Sequence, residues 1–356
     1  PTPSSAASDV YKRQDIFRAV ERLHLRAEGS YSVVALITGW GIVAFRDPNG
    51  IRPLSMGSRV VNGFTERVFA SESVVCDTLG FNHDGDVSPG EAIVVRMDGA
   101  LSAKQCSRDV LHSPCIFEHV YFARPDSVLD GVSVHSSRIK MGAFLAERIS
   151  KEFPDHGIES VIAVPDSGRI AALELARVLG VPYKEGFVKN RYIGRTFIMP
   201  GQNVRKDSVR KKLNAIEQEF SDKIVLIVDD SVVRGNTSRR IVAMAREAGA
   251  KKVYFASCSP PIVHPNVYGI DMPAKSEYVA HGRTISEISD AIGADWMIYQ
   301  NLDDLVRACK GDMETDFSNF DCSCFDGIYV TGGITDEYLD RIERIRSDEA
   351  KRSASI

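Results

Sequence analysis

What this chain lacks narrows its class first. No apolar run is long enough for a helical membrane span. Neither sign of charge dominates: 44 Lys and Arg against 48 Asp and Glu leave a net −4, too little to draw nucleic acid or anionic lipid to the surface as a whole. Cysteine is sparse and odd in number, with seven residues scattered at 76, 106, 115, 258, 309, 322 and 324. That argues against a disulfide framework and predicts reduced thiols in a cytoplasmic protein. His119, His264 and His281 show no metal-ligand spacing. The opening PTPSSAASDVYKRQ (1–14) begins without methionine and lacks the apolar core of a signal peptide and any helical or strand period, so it is expected to be a leader foreign to the fold.

What is present falls into two styles. From about Ser30 to Gln105, after a helix predicted over 16–27, short strand candidates (YSVVALIT, GIVAF, RPLSMG, RVFAS, EAIVVRM) alternate with turn signals DPNG, HDGD and MDG, and SVVCDTLG (73–80) reads as a short helix. After about Cys115 the pattern becomes strand, helix, strand. A helix is predicted over 132–153, a buried strand at SVIAVP (160–165) and a helix at RIAALELARVLG (169–180). FVKN, the strand IVLIVDD, a helix over 238–249 and VYFASCS (253–259) follow. Such units imply a parallel sheet covered on both faces. The fold class is therefore α/β, a parallel sheet flanked by helices and preceded by an antiparallel β part.

The chemistry concentrates in IVLIVDDSVVRGNTS (224–238). In an open parallel sheet, ligands bind beyond the carboxyl ends of the strands, where Asp229 and Asp230 sit. Adjacent strand residues face opposite ways, so the two carboxylates should play different roles. The loop from Ser231 to Ser238 opens onto a helix with Thr237 or Ser238 as its expected N-cap. Free backbone N–H groups and the helix dipole there suit a phosphate. Carboxylates beside a phosphate then suit sugar hydroxyls or a metal. The spacing is not that of a Walker A loop, and the plain alternative is a strand end followed by a polar turn.

The stretch resembles the phosphoribosyl-pyrophosphate (PRPP) signature of type I phosphoribosyltransferases. Together with VPDSGR (164–169), KNRYIGRTFIMPGQNVRKDSVRKKLNA (189–215), FRDPNGIRPL (45–54), YFARPDS (121–127) and NVYGIDMP (266–273), the chain resembles glutamine PRPP amidotransferases from about Asp15 to Asp348. The resemblance implies an amidophosphoribosyltransferase: ammonia displaces pyrophosphate from C1 of PRPP and gives 5-phosphoribosylamine in purine synthesis. It implies that Asp229 and Asp230 engage the ribose hydroxyls and Mg²⁺, and that Ser167 helps hold the metal and pyrophosphate. Ser231, Gly235, Asn236, Thr237 and Ser238 would bind substrate. Asn236 stands where many relatives have threonine, a change that leaves backbone donors intact. Purine nucleotides as feedback inhibitors, a homo-oligomer, and no nucleic-acid or membrane partner are also implied.

Between Lys189 and Lys212 eight basic residues face one acid, Asp207, alongside Gly194, Pro200 and Gly201. A charge run is ordinarily a solvated surface, but one beside a phosphate site suits a lid over a polyanion. The resemblance agrees and places Lys189, Tyr192 and Arg195 in that lid as catalytic residues. Some relatives carry a [4Fe–4S] cluster, which needs four thiolates. Cys115 and Cys322 fall in suggestive places, but Asn266 stands where a ligand would be expected and 322–324 reads C-x-C, so no iron–sulfur cluster is expected. The family hydrolyses glutamine with a cysteine that is the first residue of the mature chain. None of the seven cysteines lies near Pro1, so the chain is expected to hold only the later part of a glutaminase domain and to use free ammonia. The expected division is a leader at 1–14, the remaining glutaminase part at 15–112, a phosphoribosyltransferase domain at 113–330 and a helical segment at 331–356. Two rivals are a PRPP-sensing transcriptional regulator, which would need a DNA-binding helix, and a nucleobase salvage transferase, which would lack the β-rich part.

Overall fold

The structure, a computed structural model, describes residues 4–190, 213–272, 274–310 and 319–346. In the second half, strands Ser160–Ala163, Ile224–Asp229, Lys252–Ser257 and Trp296–Tyr299, with the short Tyr183–Lys184 at one edge, form a five-stranded parallel sheet. Strand parity divides its apolar residues between two cores. Leu226 and Val228 face helices Val134–Glu152 and Arg169–Leu179, while Val225 and Ile227 face helices Asn236–Glu247 and Ile285–Ile292. Burial on both faces is why these strands read as unbroken apolar runs. The first two helices pack closely enough that a Cβ on Gly142 would meet the Ala171 carbonyl oxygen at 2.2 Å.

The first half is antiparallel. Strands Ser32–Ile37, Gly41–Arg46, Glu91–Arg96 and Leu101–Gln105 make one sheet, and Phe64–Ala70, Ser55–Val61 and Asn82–Asp86 another. Phe17 and Val20 of the first helix close one face of the larger sheet over Val43, Phe45 and Val94.

Four local expectations are corrected. The first helix spans Ser4–His24, so residues read as aperiodic continue into it. HDGD, read as a turn, lies in strand Asn82–Asp86, where His83 and Gly85 pair with Gly57 and Met56. Asp, Asn and Gly disfavour strands, but ladder pairing with a neighbouring strand overrides the local preference. Strand Leu101–Gln105 was not anticipated, because Ser102 and Lys104 make one face polar and Ala103 and Gln105 on the other are exposed. FVKN leaves the parallel sheet: Phe187–Lys189 pairs antiparallel with Leu213–Ala215.

The halves are joined by buried charge. Arg46, 1% exposed, grips Asp130 with two hydrogen bonds of 2.6 and 2.8 Å. Its remaining donors reach the carbonyls of Arg52, Val87 and Gly50. Burial pushes the Asp130 carboxyl up, but the hydrogen bonds and charges of Arg46 and His112 override it and hold the group well below its ordinary value. A second tie runs from Arg52 to Glu118 at 2.7 Å.

Candidate active site

The two site acids occupy different positions because the strand ends between them. Asp229 is the last residue of strand Ile224–Asp229, and Asp230 lies just past it; both are 7% exposed. The Asp230 amide donates to Asp229 Oδ1 at 2.9 Å, which fixes the first carboxylate. Asp230 accepts from Ser231 Oγ at 2.6 Å through one oxygen and from Ser167 Oγ through the other. The acids are therefore linked to each other, and Asp230 alone also takes the Ser167 and Ser231 hydroxyls. Burial, then the neighbouring charge of Asp230, pushes Asp229 well above the ordinary aspartate value. Burial also raises Asp230, although Ser167, Ser231 and the Arg138 charge oppose it.

Ser167 reaches this pair because the turn after strand Ser160–Ala163 lies directly against the acid strand. Val164 N donates to Val228 O at 2.8 Å, and Gly168 is close enough that a Cβ would sit 2.5 Å from Val228 O and 3.3 Å from Asp229 Cα. Only glycine fits there without displacing backbone. The Pro165–Asp166 peptide in this turn is cis. Lys189 Nζ donates to Asp166 Oδ2 at 2.6 Å, which attaches the foot of the basic stretch to the same turn. Tyr192 and Arg195 lie outside the described residues.

On the other side of the acids the chain enters helix Asn236–Glu247. Its N-cap is Gly235 at φ +72° and not the expected Thr237 or Ser238, which fall in the first turn. Gly235 offers no side chain, so the first amides have no side-chain cap, and a helix leaves those amides without intrahelical acceptors. Gly235, Asn236, Thr237 and Ser238 thus form one anion-receptive end, with Ser238 buried and Asn236 exposed. The structure brings together Ser167, Asp229, Asp230, Ser231 and this loop.

One residue beside the site was missed. Arg138, 4% exposed, donates to the carbonyls of His119 at 3.0 Å and Ala123 at 2.8 Å, and its charge acts on Asp230. The signal was there: Arg138 lies in the apolar stripe of its helix with Val134, Met141 and Leu145.

Among the described residues no group of three or more His, Cys, Asp or Glu is arranged to hold a metal. Two adjoining carboxylates beside an anion-receptive helix start nonetheless suit Mg²⁺, which takes one or two carboxylates and completes its shell with waters and phosphate oxygens. All seven cysteines are buried, and burial raises every one of their thiol pKa values, that of Cys106 to about 11. None has the lowered pKa of a nucleophile. Asn266 serves the backbone, accepting from Tyr268 N at 2.8 Å and Ile270 N at 3.1 Å. No helix among the described residues is long and apolar enough to cross a membrane.

Comparison with known proteins agrees with this geometry. The phosphoribosyl transferase domain model matches residues 134–259, the span that holds the acids, the Ser167 turn and the 235–238 loop. The chain is 56% identical over 338 residues to the amidophosphoribosyltransferase of Pseudomonas aeruginosa, covering 95% of this chain and 67% of that one. It is 54% identical to the Escherichia coli enzyme over 338 residues with the same coverage, and 48% identical to that of Saccharomyces cerevisiae over 347 residues, 96% of this chain and 67% of the relative. The solved glutamine PRPP amidotransferase of B. subtilis, complexed with ADP and GMP, superposes with a TM-score of 0.76 at 36% identity, over 90% of this chain and 71% of that one. A DNA-binding regulator finds no support among these matches. An acid pair and an uncapped helix start on a parallel sheet, preceded by an antiparallel β part and matched along nearly the whole chain, place it in the amidophosphoribosyltransferase family.

Proposed function

We propose that Asp229, Asp230, Ser167, Ser231 and the 235–238 loop bind PRPP with Mg²⁺, and that ammonia attacks C1 of the bound ribose. The observation that carries this reading is the buried acid pair held between the Ser167 turn and the uncapped start of helix Asn236–Glu247. The loop amides receive the 5′-phosphate. Asp229 and Asp230 accept the ribose hydroxyls or hold Mg²⁺, and Ser167 orients Asp230 from the pyrophosphate side. Mg²⁺ bound there would neutralise the leaving pyrophosphate. A C–N bond forms at C1 as the C–O bond to pyrophosphate breaks, and the nitrogen sheds a proton. The buried carboxylates stabilise positive charge developing on the ribose, and fixed groups in a water-poor site do this without reorganising.

Lys189, tied to the Ser167 turn through Asp166, adds a positive charge beside the acids. Ammonia is the nitrogen nucleophile proposed for this site. Feedback inhibition by purine nucleotides is supported by the ADP and GMP bound to the B. subtilis relative. A homo-oligomer in the cytoplasm is the setting that the resemblance implies. Calorimetric titration of PRPP with Mg²⁺ tests the assignment. The wild type should bind, and Asp229→Ala and Asp230→Ala should each weaken binding or turnover on the order of 10²-fold. Unchanged binding in both variants would refute it.

A further inference from the structure

The phosphate loop is braced from outside. Arg234, next to Gly235, pairs through Nη2 with Glu277 Oε2 at 2.7 Å, and both side chains are only 23% exposed. Glu277 ends the 3-10 turn Lys275–Glu277, far along the chain. The residues that follow it reach the loop twice more. Val279 N donates to Val233 O at 2.9 Å, and the Val279 side chain fills the space where a Cβ on Gly235 would meet it at 2.9 Å. Tyr278, Val279 and Ala280 are buried. On its far side the turn is held by helix Asp336–Arg346, whose Glu343 Oε1 accepts from Ser276 N at 3.2 Å.

Such a brace answers a physical need. Gly235 sits at φ +72°, and glycine loses the most conformational freedom when it is ordered. A phosphate cradle works only if its amides are held in register with the anion. A half-desolvated ion pair, one backbone hydrogen bond and one apolar contact supply that hold from a separate segment.

We propose that Arg234 and Glu277 are positioning residues for the 5′-phosphate end of the site, and that Glu343 carries this brace into the C-terminal helix. The inference rests on assigning the 235–238 loop to PRPP. It separates the two ends of the substrate: the brace supports the phosphate loop, whereas the Ser167 turn is held independently against Val228 and Asp229.

Calorimetry with ribose 5-phosphate and, separately, with pyrophosphate in Mg²⁺ tests it on the wild type, Glu277→Gln and the reversed pair Arg234→Glu/Glu277→Arg. Glu277→Gln should weaken ribose 5-phosphate about tenfold, as expected for a lost charge-assisted hydrogen bond, and leave pyrophosphate within about twofold. In ammonia-dependent turnover the KM for PRPP should rise by a similar factor with kcat little changed, and the reversed pair should recover much of the loss. Glu343→Gln should shift the same ligand in the same direction by a smaller factor. Unchanged ribose 5-phosphate affinity in Glu277→Gln would overturn the proposal, as would equal loss of both ligands, which marks general unfolding. A wild type that binds pyrophosphate but no ribose 5-phosphate would instead remove the loop assignment, and this inference with it.

Discussion

The two sheets of this molecule treat their apolar residues differently. In the parallel sheet, strands Ile224–Asp229 and Lys252–Ser257 are buried on both faces from their second residue onward. In the antiparallel half, strand Ser32–Ile37 alternates, leaving Val34 50% and Leu36 77% exposed, and Phe64 on the smaller sheet is 75% exposed. Nothing among the described residues covers these side chains. The half with a closed core also holds the acids, the hydroxyls of Ser167 and Ser231, and the uncapped helix start. The half with open apolar faces holds Cys76 and Cys106, whose thiols burial pushes up. The groups proposed to carry the transfer chemistry therefore all lie in the parallel half.

The sharpest way to break this contrast is to cut the link between the halves. Arg46→Met leaves Asp130 buried without its main partner, and removing one member of a buried pair costs about 3–5 kcal/mol. Because the Asp130 carboxyl is held low in the fold, its contribution is present above the ordinary value of 3.8 and lost as pH falls below it. Wild type should therefore lose stability on acidification more steeply than Arg46→Met. Denaturant unfolding at pH 7 and pH 3 checks both statements.

A smaller effect is expected inside the site. A Cβ on Gly168 would lie 2.5 Å from Val228 O, so Gly168→Ala must push the Ser167 turn off the acid strand. Overpacking of this kind costs about 1–3 kcal/mol, and turnover should fall further than stability, since Ser167 loses Asp230. Unfolding and steady-state rates measured on one preparation would separate the two.

Asp229→Asn should go the other way. Burial and the Asp230 charge raise the Asp229 pKa, so this acid costs stability once pH rises above its ordinary value of 3.8. The asparagine removes that cost and keeps an oxygen for the Asp230 amide. We expect ligand-free Asp229→Asn to melt about 2–4 °C higher at pH 8, with the gain vanishing at low pH and turnover lost. The smallest effect belongs to the open face: Leu36→Thr should change stability by less than about 0.5 kcal/mol yet reduce self-association in light scattering.

Much of this was legible in the sequence. Unbroken apolar runs marked the parallel strands, and the switch from IVLIV to Asp229–Asp230 marked their carboxyl edge. What was hidden depends on partners distant in sequence. HDGD became a strand because Ser55–Val61 offered it a ladder. Gly235 stands as the cap in place of Thr237 or Ser238, and Val279 packs where a side chain on it would lie. Arg46 looked like any basic residue at a strand end until Asp130 was found across the interface. Arg138 was visible as a charge in an apolar stripe, but its relation to Asp230 required the fold.

The central claim is that these residues carry a PRPP transferase served by ammonia. The most direct measurement is pyrophosphate release from PRPP by this 356-residue polypeptide, with ammonia or glutamine as the only nitrogen source. The account predicts a Mg²⁺-dependent rate that saturates in PRPP, rises with pH as the NH₃ fraction grows, and is absent with ammonia-free glutamine. A rate equally supported by glutamine, or no rate with ammonia from a folded protein, would contradict it.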